Sequence, residues 1–130
     1  MSVLALIVED DETLAEIFEQ AVAHAGYATR VLSDGQQALD ALEQVVPYLI
    51  VLDMHLPFVS GETILKFISL QERLKDCWII ITSADASITS RLRDEKDVDF
   101  IMEKPVSFVQ LRDLAVRLHP DNKTASEQEN

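Results

Sequence analysis

The stretch that most limits what this chain can become is YLIVLDMHLPFVSG, residues 48–61. Its apolar run, Tyr48–Leu52, stops at one carboxylate, Asp53. An apolar run without polar alternation fits a strand covered on both faces, as in a parallel sheet layered between helices. Parallel strands need long crossover connections, so one such strand commits its neighbours to an α/β arrangement. Ligands of these sheets bind beyond the carboxyl ends of the strands, which is where Asp53 falls. A Pro-containing loop follows, and Gly61 marks the start of the next helix. An aspartate at a strand end also serves as a turn former or helix cap. Alone, Asp53 fits either role.

The rest of the chain repeats the pattern. Val3–Val8 is an apolar run ending in Glu9-Asp10-Asp11, and reads as a buried strand. Leu14, Ile17, Phe18, Ala21, Val22 and Ala25 follow with the spacing of a helix that buries one face, and Gly26 stops it. Tyr27–Leu32 is the second predicted strand, and Ser33-Asp34-Gly35 supplies a turn and an N-cap. Ala38, Leu39, Leu42 and Val45 mark a second helix closed by Pro47; Ile64, Leu65, Phe67 and Ile68 mark a third, capped by Ser60.

Trp78–Ile81 is a further apolar strand, ending in Thr82-Ser83. The fourth helix, at about Ala86–Lys96, has only Ile88 and Leu92 as apolar anchors and is expected to be the most easily moved. Phe100–Met102 is a short last strand leading to Glu103-Lys104-Pro105. Ser107-Phe108-Val109-Gln110 has the pattern of a capping box, and Phe108, Leu111, Leu114, Ala115 and Leu118 give the last helix its apolar face. Residues 1–120 are thus expected to form one domain, with a polar, aperiodic and disordered tail at 121–130. Strands alternating with helices in this way predict a doubly wound parallel sheet. Right-handed crossovers gather the carboxyl ends on one edge, bringing together Glu9, Asp10, Asp11, Asp53, Thr82, Ser83 and Lys104.

Composition narrows the function. With 11 basic against 23 acidic residues, the net charge of -12 repels nucleic acid and anionic membranes, so direct contact with either is not expected. The single cysteine, Cys77, excludes an internal disulfide and suits a reducing cytoplasm. No stretch approaches the ~20 apolar residues of a membrane span, and Met1–Asp10 lacks the basic start of a signal peptide, so a cytoplasmic location is expected.

Carboxylates gathered on one edge repel one another and call for a cation. A small set of oxygen ligands suits Mg²⁺, which completes its shell with waters and phosphate oxygens. A lysine and a hydroxyl on the same edge add what a phosphoryl group in transfer needs, and a carboxylate can accept that group as an acyl phosphate. With only Gly26, Gly35 and Gly61 in the chain, there is no Gly-rich loop to cradle a nucleotide.

LIVEDDETL, VLDMHLPFVSG, IIITSAD and EKPV, in that order, resemble the receiver domain of two-component response regulators over about residues 3–119. The resemblance implies a flavodoxin-like, doubly wound five-stranded parallel sheet of order 2-1-3-4-5 with five helices. It implies a Mg²⁺-dependent phosphoacceptor, charged on Asp53 by a sensor histidine kinase or a histidine phosphotransfer protein. Such a domain assists its own phosphoryl transfer and autodephosphorylation, is not otherwise an enzyme, and signals by conformational change and protein contact.

By the same resemblance Asp10 binds Mg²⁺ directly, Glu9 through water, and His55 through its backbone carbonyl. Asp11 falls outside the acidic pair, as a helix cap. Thr82 is the switch hydroxyl, with Ser83 as its structural alternative. Lys104 pairs with the phosphoryl group, and Lys104-Pro105 resembles the cis peptide that aims it. Receivers usually carry an aromatic residue three positions before the lysine; here that position is Ile101, and Phe100 is one residue early. The usual aromatic relay is therefore in question.

Two other readings compete. A phosphohydrolase of the haloacid dehalogenase type also uses a strand-end aspartate, but needs a second acid two residues on, where this chain has His55. A degenerate receiver acting only as a binding module would lack an acid or the lysine, and none is missing. No output domain follows in this sequence, so the receiver is expected either to stand alone or to be part of a longer chain, acting on a downstream protein partner or a missing output domain.

Overall fold

Leu49–Asp53 (β3) is buried at every position, as its unbroken apolar run requires. In the computed structural model, which describes residues 2–122, β3 is the middle of a five-stranded sheet. Its partners are Leu4–Val8 (β1), Ala28–Leu32 (β2), Trp78–Ser83 (β4) and Phe100–Glu103 (β5), in the order β2-β1-β3-β4-β5. All four pairings are parallel. The expected flavodoxin-like fold and strand order are therefore present.

Side-chain alternation divides the core in two. Leu6, Val8, Ile50, Leu52 and Ile81 face one layer, formed by Gly35–Gln44 (α2), Gly61–Ser69 (α3) and Leu92 of Ala86–Leu92 (α4). Ala5, Ile7, Leu49, Val51 and Ile80 face the other, formed by Glu12–His24 (α1) and Phe108–Leu118 (α5). Every α-helix starts on a polar side chain that accepts a backbone N–H of its first turn: Asp11, Asp34, Ser60, Asp85 and Ser107. Such a cap is typically worth about 1 kcal/mol and fixes where each helix leaves the edge of the sheet. Gly26, at φ 102, ends α1 as expected.

Three details differ from the expectation. The fourth helix stops at Leu92 rather than near Lys96, because Arg93, Asp94, Glu95 and Lys96 are all exposed and have no apolar face to pack. A 3-10 turn at Glu72–Leu74 between α3 and β4 had no periodic signal; it buries the single side chain of Leu74. Of the tail expected to be disordered, Asp121 and Asn122 are in helical conformation, and residues 123–130 lie outside the described residues. Among the described residues, no helix is long and apolar enough to cross a membrane.

Candidate functional site

The site is built from strand ends. Glu9 follows β1 directly and is 2% exposed; Asp53 is the last residue of β3 and is equally buried; Asp10 lies beside them on the exposed rim. One carboxylate oxygen from each of the three falls within 4.8 Å of the others. Asp11 is outside this group: its Oδ1 accepts the Leu14 N–H at 2.9 Å and caps α1.

Lys104 enters from the end of β5. Its backbone N–H donates to the Ser83 carbonyl at 2.9 Å, and the Lys104–Pro105 peptide is cis. Its Nζ donates to Glu9 Oε1 at 2.8 Å and stands 3.4 Å from Asp53 Oδ1. Burial pushes the Glu9 carboxyl upward, and the charge of Asp53 adds to this, against the hydrogen bonds from Lys104 and from the Asp11 N–H. Burial by itself would lower Lys104; its bond to Glu9 and the charge of Asp53 outweigh that and hold the ammonium charged. One lysine against three acids leaves the edge short of positive charge, so this oxygen set fits a small hard cation such as Mg²⁺.

The two candidate hydroxyls take different roles. Ser83 Oγ accepts the Asp85 N–H at 3.0 Å and is used in the turn before α4. Thr82 is the register partner of Asp53, which places the two side chains next to each other on one face of the sheet. Its Oγ1 is buried and, among the described residues, is the only buried side-chain oxygen or nitrogen without a hydrogen-bond partner. His55 is exposed, and its backbone N–H donates to Asp53 Oδ1 at 3.1 Å.

Phe100 and Ile101 fall on opposite faces. Phe100 packs with the α1/α5 layer, its ring centroid 6.0 Å from that of Trp78. Ile101 packs with the opposite layer; at the open edge of the sheet it lines a cleft of about 500 Å³ with Arg93, Val98, Asp99, Glu103 and the neighbouring Phe100. The position three before the lysine thus carries an aliphatic side chain toward α4, and the neighbouring aromatic points away from it.

Some residues near the site gave no chemical signal in the sequence. A Cβ on Gly61 would lie 2.5 Å from the Asp53 carbonyl oxygen, and one on Gly35 would lie 2.2 Å from that of Val59. Both glycines are required by close approach of the loop after β3, beyond any role in starting α2 and α3. On α4, Arg91 makes a two-pronged bond to Glu62 of α3, at 2.6 and 2.9 Å. On its other side Thr89 Oγ1 reaches Glu103 of β5 at 3.3 Å.

The chain matches the family described as response regulator receiver domain over residues 5–116, and it belongs to that family. It is 32% identical over 102 residues to the alkaline phosphatase synthesis transcriptional regulatory protein PhoP of Bacillus subtilis, covering 78% of this chain and 42% of that protein. With the probable methanogenesis regulatory protein FilR2 of Methanothrix harundinacea it shares 30% identity over 118 residues, covering 84% of this chain and 76% of that one. Among solved structures, the signal receiver domain of a putative Luxo repressor protein from Vibrio parahaemolyticus matches at TM-score 0.80 and 27% identity. That match covers 100% of this chain and 99% of the other. The chain spans about half the length of the first of its curated relatives.

Proposed function

We propose that this receiver accepts a phosphoryl group on Asp53 from a phosphohistidine donor, in a Mg²⁺-dependent step, and signals through displacement of α4. The observation that carries this is that the Asp53 carboxylate stands 3.4 Å from the Lys104 ammonium and is the register partner of Thr82, whose buried hydroxyl has no partner. An Asp53 oxygen attacks phosphorus, the new O–P bond forms as the donor's N–P bond breaks, and the electron pair returns to the imidazole nitrogen. Asp10, Asp53 and the His55 carbonyl would hold Mg²⁺, with Glu9 acting through water; the bound ion supplies neutralising charge to the phosphoryl oxygens. Lys104 supplies a second positive charge, 3.4 Å from Asp53 Oδ1. An unpaired buried hydroxyl costs about 1–3 kcal/mol, so a phosphoryl oxygen on Asp53 gives Thr82 reason to move toward it.

The donor in this reading is a sensor histidine kinase or a histidine phosphotransfer protein. The listener is a downstream protein partner or an output domain. The net charge of -12 argues against direct contact with nucleic acid or an anionic membrane, and the single cysteine fits a cytoplasmic setting. His55, where a dehalogenase-type hydrolase needs its second acid, favours a stoichiometric acceptor over a hydrolase.

Acetyl phosphate with Mg²⁺ is expected to place one acid-stable, hydroxylamine-labile phosphoryl group on each chain, and chelation should prevent it. Loss of a ligand's supporting partner already costs roughly 10–100-fold in metal affinity, so Asp10→Ala should weaken Mg²⁺ binding by at least about tenfold. Asp11→Ala should leave Mg²⁺ affinity nearly unchanged and cost about 1 kcal/mol of stability through its lost cap. Equal losses of affinity would remove Asp10 from the metal set. Turnover of a generic phosphate monoester beyond one equivalent would indicate a hydrolase.

The reading of the phosphoryl state follows from α4. Its buried residues are Thr89 and Leu92, and polar bonds to Glu62 and Glu103 hold its two flanks. Thr82 and Ser83 end the strand that leads into it, so a pull on Thr82 reaches α4 through the turn made by Ser83 and Asp85. Ile101 has no polar tip to exchange between solvent and core, and Phe100 is committed to Trp78 on the far face. Structures with and without beryllofluoride on Asp53 are expected to differ at residues 84–96, with Phe100 in the same rotamer in both. A swing of Phe100 toward α4 would overturn this route.

A further inference from the structure

We propose that Phe58 is the anchor by which the phosphohistidine-bearing protein docks beside Asp53; this rests on the phosphoacceptor reading above. Phe58 is 94% exposed, more than any other large apolar side chain among the described residues. Among the described residues it is also the one non-glycine with positive φ, at 69°. The Val59 N–H donates to the Pro57 carbonyl at 2.8 Å across it. A three-residue turn closed in this way about a positive φ is the rarer hand of γ-turn, and it is strained. A bulky L side chain there faces steric opposition that glycine or asparagine largely escapes.

The loop has no freedom to hide the ring. Pro57 locks its own φ directly before Phe58, and the Gly61 N–H closes the loop on the Met54 carbonyl at 3.3 Å. Gly35 and Gly61 let the loop press against α2 and the end of β3 so closely that a Cβ at either would collide with backbone. The apex residue is therefore presented outward by a rigid, unfavourable turn, and its ring contributes little to the core. Strain combined with exposure of an aromatic ring points to a contact made outside this chain.

Position selects the partner. Asp53 is 2% exposed, so a protein delivering a phosphoryl group must cover the rim around it. A standard interface occupies about 800 Å² on each partner, a patch of roughly 16 Å radius. Five residues of fully extended chain reach at most about 18 Å, and this loop is folded back on itself, so Phe58 falls within such a patch. The exposed acids Asp10 and Asp11 stand on the β1–α1 loop, and the exposed Glu12 opens α1. The donor surface that fits is an apolar pocket for the ring, bordered by basic side chains, next to the phosphohistidine. Preorganisation makes the ring suited to this role, because little side-chain or loop freedom is lost on docking.

The test compares two phosphodonors on three chains: wild type, Phe58→Asn and Phe58→Tyr. Asparagine tolerates positive φ, so Phe58→Asn removes the ring and retains the turn. The protein probe is a purified, phosphorylated histidine phosphotransfer domain that charges the wild-type chain; the small probe is acetyl phosphate. Phe58→Asn is expected to lose roughly 30-fold or more in the second-order rate from the protein donor, the size of an interface hot spot. With acetyl phosphate it should stay within about twofold, and Phe58→Tyr should stay near wild type with both. Unchanged transfer from the protein donor, or an equal loss with acetyl phosphate, would overturn the docking role. So would a loss explained by altered self-association of the receiver in sedimentation. Label from either donor that persists at the wild-type level on Asp53→Asn would instead refute Asp53 as the acceptor.

Discussion

Asp53→Asn is expected to leave the fold in place and reduce phosphoryl uptake to background, from acetyl phosphate and from a phosphohistidine protein alike. The two side chains have nearly the same shape, and the amide oxygen can still accept the His55 N–H that now bonds Asp53 Oδ1 at 3.1 Å. What disappears is the nucleophile: an amide offers no anionic oxygen to form an acyl phosphate. Removing one of three gathered carboxylates also lowers their mutual repulsion, so thermal stability should not fall, whereas Mg²⁺ affinity should. Acid-stable label on Asp53→Asn at the wild-type level would show that another residue is the acceptor. A variant that fails to fold would be detected separately, by its melting curve.

Gly35→Ala is expected to destabilise the domain by roughly 2 kcal/mol, a large effect for one methyl group. The added Cβ would lie 2.2 Å from the Val59 carbonyl oxygen and 2.6 Å from the Val59 Cβ. The carbonyl is backbone, so relief requires the loop after β3 to move; overpacking of this kind costs about 1–3 kcal/mol. Alanine's better helix propensity, up to about 1 kcal/mol, returns only part of that at the first position of α2. Urea unfolding should show a lower midpoint with an unchanged slope. Because Val59 belongs to the loop that closes on Met54, uptake from acetyl phosphate should slow as well. A variant as stable as wild type would mean that the loop yields easily and that Gly35 does not clamp it.

The parts of this protein that could be read without coordinates share one property: their cause is local in the chain. Val3–Val8, Tyr48–Leu52 and Trp78–Ile81 are apolar without alternation, and only a strand covered on both faces buries such a run. Asp11, Asp34, Ser60 and Ser107 were visible as caps because a cap serves N–H groups two or three residues ahead. From those elements the right-handed crossover places Glu9, Asp10, Asp53, Thr82 and Lys104 on one edge. Even the opposite facing of Phe100 and Ile101 follows from parity along a single strand.

What escaped the sequence depends on groups far apart in it. Lys104 bonds a residue 95 positions away, Glu9, at 2.8 Å, closer than it lies to Asp53. The sequence favours Thr82 over Ser83, but that Ser83 Oγ is used in the turn before α4 and Thr82 Oγ1 is left without a partner appears only in the fold. Gly35 reads as part of a turn and Gly61 as a helix start, and the close approach of the loop to both appears only when separate elements are brought into contact. Phe58 carries no distinguishing signal in the sequence; its φ and exposure set it apart. The sequence by itself determined the alternating strands and helices and the set of residues at the sheet's carboxyl edge, because periodicity and handedness act along the chain, while the strand order was implied by the resemblance to receiver domains. Tertiary structure alone decided which of those residues touch, which hydroxyl is left free and which ring is turned to solvent, because these follow from packing between elements.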